Sequence, residues 1–167
     1  MAILISFSGL PGVGKTTIAR ALPERINAVH LRVDSIEAAM KKSALKIHPP
    51  EDAGYLVVAA VAKDNLVLGL DVIADTVNPV EISRRLWADA AASARAKLVN
   101  VEIICTDGAE HRRRVESRIS DIDGLIVPNW DRVETRQYVP WKEDRLILDS
   151  TQLTTTECVS KIAHLLR

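Results

Sequence analysis

Gly9-Leu10-Pro11-Gly12-Val13-Gly14-Lys15-Thr16 stands between an apolar run at residues 2–8 and a helix-forming segment at residues 18–26. The spacing G-x-x-x-x-G-K-[ST] in that context constrains the chain more than any other stretch. Its glycines let the backbone wrap until several N–H groups converge on one phosphate, and the following helix dipole adds partial positive charge there. Lys15 then reaches the β- and γ-phosphates as a point charge, and the Thr16 hydroxyl is an oxygen ligand for Mg²⁺. The expected nucleotide contacts are Gly9, Leu10, Pro11, Gly12, Val13, Gly14, Lys15, Thr16 and Thr17. A loop of this type sits at the carboxyl end of a buried strand, so the first unit is strand, loop, helix.

The same alternation continues. Strands are predicted at residues 28–33, 70–74, 99–105 and 145–148, and helices at 51–68, 79–97, 109–120 and 154–167. Asp34 and Ser35 suit a helix cap, and Pro79 suits a first helical turn. Val57, Val61 and Leu68 read as one apolar face of the 51–68 helix. Residues 121–144 carry two prolines and two tryptophans and read as irregular, so a helical lid is expected over about residues 109–140. Strands alternating with helices predict an α/β fold of three layers, a five-stranded parallel sheet covered on both faces, in a single domain spanning 1–167.

Composition removes several function classes. Lys plus Arg (22) balances Asp plus Glu (22), giving a formal charge of +0. That argues against a protein built to grip a nucleic-acid backbone, which needs a basic face. Cys105 and Cys158 are too few for a disulfide framework and fit a cytoplasmic location. The apolar stretch 53–70 is interrupted by Lys63, Asp64 and Asn65, short of the ~18 uncharged residues of a membrane span. His30, His48, His111 and His164 show no metal-ligand spacing. Oligomeric state is left as monomer or homodimer.

Chemistry beyond the loop gathers at predicted strand ends. Asp34 follows the second strand on the edge where open α/β sheets bind ligands, placed to take the proton of an attacking hydroxyl. Asp75, after Val72-Ile73-Ala74, is a second acid suited to Mg²⁺, directly or through water, or to orienting Asp34. Thr76 and Asn78 are polar candidates for acceptor contact. Arg114 and Arg118 are four apart, so they share a face of the expected lid helix and suit a transferring phosphoryl group. The absence of N-K-x-D argues against a guanine-reading switch, and Asp121-Ile122-Asp123-Gly124 reads as an Asp-Gly turn. Trp130, Tyr138 and Trp141 suit either base stacking or pinning the loop to the core.

The chain resembles the small P-loop kinases of the zeta-toxin and polynucleotide-kinase-like group, the AAA-type ATP-binding kinases. It is more distantly similar to gluconate, shikimate and chloramphenicol kinases. The resemblance is carried by GLPGVGKTTIARAL, Asp34, VIADTVNPVEISRRLW, CTDGAEHRRRVESRISD and LILDST. It implies that Asp34 activates the acceptor hydroxyl and that Arg114 and Arg118 contact ATP phosphates. It also implies that Asp149, Ser150 and Thr151 lie near the adenine. Where many relatives place an arginine three residues after the Asp, this chain has Glu37, which would repel a phosphorylated acceptor; Arg84 or Arg85 is the candidate substitute. The expectation is transfer from ATP, with Mg²⁺, to a hydroxyl of a small molecule. A slowly hydrolysing regulatory module and a nucleotide-sugar kinase remain as alternatives.

Overall fold

The computed structural model describes residues 1–166. Five strands, β1 (Ile3–Ser8), β2 (Ala28–Arg32), β3 (Asp71–Asp75), β4 (Lys97–Ile104) and β5 (Leu146–Asp149), form one sheet in the order β2-β3-β1-β4-β5. Every neighbouring pair is parallel, with Ile5 opposite Ile73 on one side and Val99 on the other. The helices are α1 (Lys15–Ala21), α2 (Val33–Lys42), α3 (Ala53–Val67), α4 (Glu81–Ser93), α5 (Gly108–Glu116), α6 (Trp130–Glu134) and α7 (Thr155–Leu165), with a 3₁₀ turn at Leu22–Glu24.

Period-two alternation along the strands divides the core. Ile5, Phe7, Ile73, Val101, Ile103 and Leu148 pack with α1 and α7 on one face. Leu4, Val72 and Ala74 face α3 and α4, where Trp87 is fully buried. Both faces are therefore dry, as parallel strands require, and the result is the three-layer α/β P-loop fold. The chain leaves β1 toward β2 on one side and later reaches β4 on the other. The crevice of an open sheet thus falls at the carboxyl end of β1.

Several boundaries differ from the sequence reading, each for a physical reason. The N-cap of α2 is Arg32, with no side-chain cap, so Asp34 lies inside the first turn rather than before it. Helix α4 begins at Glu81, and Pro79 stays outside because its carbonyl accepts the Val139 N–H at 2.8 Å. Helix α3 buries Gly54, Val58, Ala59, Ala62 and Leu66, leaving Val57, Val61 and Leu68 exposed, the opposite of the predicted face. Helix α5 stops at Glu116: the Ser117 hydroxyl turns back to the Arg113 carbonyl at 2.7 Å. Arg118 therefore falls beyond the helix. Among the described residues, no helix is long and apolar enough to cross a membrane.

Candidate functional site

The loop between β1 and α1 takes its shape from close approaches. Gly9 has φ 132°, and a Cβ there would lie 2.2 Å from the Ile103 carbonyl oxygen. Gly14 caps α1 in the left-handed region at φ 99°. No other residue fits such a path without strain. Pro11, Gly12, Gly14, Lys15, Thr16 and Thr17 line a cleft of about 1560 Å³ at the carboxyl edge of the sheet. A pocket for one ligand is about 300–1,000 Å³, so this cleft has room for two side by side. Gly9, Leu10 and Val13 act from behind the cleft wall. The Gly9 N–H donates to Val77, the Leu10 carbonyl accepts from Lys15, and Val13 packs into the core.

Lys15 is 8% exposed, and its Nζ donates to the Leu10 carbonyl at 2.9 Å. Burial lowers its pKa to about 8, opposed by the charges of Asp75 and Asp34. Asp75 is buried at the end of β3 and accepts from His30 Nε2 at 3.3 Å. Burial alone would raise the Asp75 carboxyl; His30, the Lys15 charge and the Thr16 hydroxyl outweigh it and hold it below the usual range. Neither Asp75 nor Asp34 caps a helix. Asp34 projects into the cleft with its carboxylate 3.9 Å from Arg32 and 4.0 Å from Arg118.

Arg114 and Arg118 both line the cleft but do not share a helix face. Arg114 donates to the Ser150 hydroxyl at 2.8 Å and to its carbonyl at 3.2 Å, tying α5 to the end of β5. Its Nε donates to Glu110, whose carboxyl is held near 2 by hydrogen bonds from Arg113 and Arg114. Ser150 and Thr151 line the cleft. Asp149 does not line it; its carboxylate accepts from Thr106 and from the Thr151 hydroxyl at 2.6 Å. Thr16 and Asp75 together offer hydroxyl and carboxylate oxygens, the hard donors that suit Mg²⁺. Among the described residues no cluster of three His, Cys, Asp or Glu could hold a metal.

Residues 4–123 match the AAA domain family profile AAA_33. The chain belongs to this AAA domain family. Mycobacterium tuberculosis APS kinase CysC, solved with AMPPNP and APS, superposes with a TM-score of 0.74 at 18% identity, over 99% of this chain and 97% of that one. Chaetomium thermophilum Kti12, solved with ADP-AlF3, gives 0.70 at 23% identity, over 98% and 99%. A gluconokinase from Sinorhizobium meliloti 1021 gives 0.62 at 17%, over 99% and 94%. Likeness at these identities establishes a shared fold. No curated protein matches the chain in sequence.

Within this AAA domain several expected contacts belong elsewhere. Arg84 is buried and donates to the carbonyls of Asn78, Val139 and Pro140, with its guanidinium 4.2 Å from the Trp141 ring centroid. Neither Arg84 nor the exposed Arg85 faces the cleft. Asn78 is fully buried, donating to Ser6 and Phe7 and accepting from Trp87. Thr76 reaches the cleft but commits its hydroxyl to the Phe7 carbonyl at 3.1 Å. Tyr138 and Trp141 pin the loop through Glu102, and Trp130 stands edge-on to His111. Cys105 is half-exposed just beyond β4 and packs against the core; burial raises its thiol pKa.

Glu37, which the sequence singles out, lines the cleft. Arg32, Tyr55 and Arg136 line it too but join the site only in three dimensions. His111 bonds the Pro11 carbonyl at 2.8 Å. Asp121 joins the Asp-Gly turn to the site, pairing with Arg20 and, at 2.9 Å, with Arg32. The sequence signal for His111 was its four-residue spacing from Val115, two buried positions in a charged helix. No local signal marks Arg32 or Arg136.

Proposed function

We propose that the protein is an ATP- and Mg²⁺-dependent kinase that transfers the γ-phosphoryl group to a hydroxyl of a small molecule. The observation that carries this is one cleft lined at once by Lys15, Asp34, Asp75, Arg114 and Arg118. In this reading residues 1–167 form a single kinase domain within the zeta-toxin and polynucleotide-kinase-like branch, with residues 109–140 as its lid. The phosphate-loop amides and Lys15 bind the β- and γ-phosphates, and Arg114, Ser150 and Thr151 bound the nucleotide side. Thr16 and Asp75 would hold Mg²⁺, which would supply charge neutralisation at the phosphates.

Asp34 accepts the proton as the acceptor oxygen forms its bond to the γ-phosphorus and the bond to the bridging β–γ oxygen breaks, releasing ADP. Arg118 lies beside Asp34, where charge spreads over the transferring oxygens. The polarised cleft, in a chain with formal charge +0, suits a nucleotide beside a small acceptor and not a long polyanion. Asp34→Asn tests the assignment: ATP affinity stays, and acceptor phosphorylation falls about 10²–10⁴-fold. Undiminished transfer in that variant overturns the role of Asp34. ADP release that no acceptor accelerates would favour a regulatory ATPase instead.

A further inference from the structure

Glu37 lies one helical turn after Asp34 on α2, and the two differ in how they are satisfied. Asp34 has the guanidiniums of Arg32 and Arg118 at 3.9 and 4.0 Å. Glu37 is half-buried among the described residues with no hydrogen-bonding partner; only the charges of Asp34 and Arg136 act on it. Its position is built, not incidental. A Cβ at Gly54 would come within 2.5 Å of Glu37 Cγ and 2.8 Å of Oε1, so α3 presents glycine where the carboxyl packs. Tyr55, the next residue on α3, lines the same cleft but already accepts the Asn78 N–H at 3.2 Å.

A half-buried carboxylate that no donor of the chain satisfies keeps its acceptor capacity free for a ligand in the cleft. Residues three apart on a helix hold their Cβ atoms about 5–6 Å apart. That separation lets two carboxylates address hydroxyls on adjacent or next-but-one carbons of one molecule. A phosphate or sulfate placed there would meet two negative charges at once.

Resting on the kinase reading above, we infer that Glu37 is the specificity-determining residue of the acceptor subsite. The subsite takes an uncharged polyhydroxylated molecule, with Asp34 on the hydroxyl that receives the phosphoryl group and Glu37 accepting from a hydroxyl one or two carbons away. It rejects the same molecule when it already carries a phosphate.

The test pairs hexoses, pentitols and nucleosides with their own phosphate monoesters and measures acceptor-dependent ADP release. For the wild type an uncharged member accelerates release and its monoester does not. Glu37→Gln raises KM for that acceptor about 10- to 100-fold, with KM for ATP unchanged and Tm not lowered. Glu37→Arg turns the preference toward the monoester. Monoesters used as well as their parents, or an unchanged acceptor KM in Glu37→Gln, overturn the inference and leave the kinase reading standing. Acceleration by neither arm overturns the kinase reading, and the inference with it.

Discussion

His111 supports the phosphate loop from below. A carbonyl can only accept, so the 2.8 Å contact with Pro11 requires the proton on Nε2. The ring is 6% exposed and meets Trp130 edge-on at 5.2 Å between centroids. Gly12, with φ 86°, fits because it has no Cβ: one there would strike Val115 Cγ2 at 2.5 Å, on the same buried stripe of α5. Loop and helix are thus one packed unit. His111→Ala leaves the Pro11 carbonyl without its donor and opens a void beneath the loop. We expect a loss of about 2–4 kcal/mol in urea unfolding and an ATP KM raised several-fold, with the acceptor KM unchanged. An unchanged ATP KM would mean that the loop holds its shape alone.

Among the elements, the irregular segment after α6 is strapped to the body by Arg84. Its guanidinium satisfies three carbonyls on two sides of the chain and lies against the rings of Trp141 and Tyr138. Arg84→Ala should cost about 2–4 kcal/mol by loss of those bonds and of buried packing, and leave KM for ATP unchanged. Arg85→Ala, on the exposed face of α4, should stay within about 0.5 kcal/mol of wild type. The equilibrium unfolding midpoints of the pair decide it. Arg84 also marks where sequence reasoning ran out. The phosphate loop was legible because its spacing is local and its chemistry admits few residues, and strands such as 71–75 were legible as apolar runs ending in an acid. Helix α3 is apolar on most sides, so no periodicity says which of its faces is covered. Arg84 was ambiguous because its acceptors, Val139 and Pro140, lie more than fifty positions away. Arg114 and Arg118 share a helix face by spacing alone, whereas α5 ends at Glu116, between them.

For the molecule as a whole, a formal charge of +0 conceals a cleft that concentrates charge. Lys15, Arg32, Arg114, Arg118 and Arg136 line it with Asp34, Glu37 and Asp75, and several of these groups are buried. Such a site costs stability that only ligand returns. Burial holds Lys15 at about 8, below its unfolded value of 10.5, so the folded chain binds that proton more weakly than the unfolded chain. The penalty is therefore full below pH 8 and fades as pH rises toward 10.5. Lys15→Met removes the buried charge, and at pH 7 the nucleotide-free variant should be more stable by up to roughly 3 kcal/mol. That corresponds to a Tm increase of several degrees for a chain of this size. The gap should close when the comparison is repeated near pH 10.5. Adding Mg²⁺ and ATP should raise Tm for the wild type and not for the variant, because a ligand stabilises only the fold that binds it. If Lys15→Met is instead less stable at pH 7, the Leu10 hydrogen bond and the pull of Asp75 and Asp34 outweigh desolvation. The cleft would then be a stabilising feature of the empty protein, not a strain held in reserve for nucleotide.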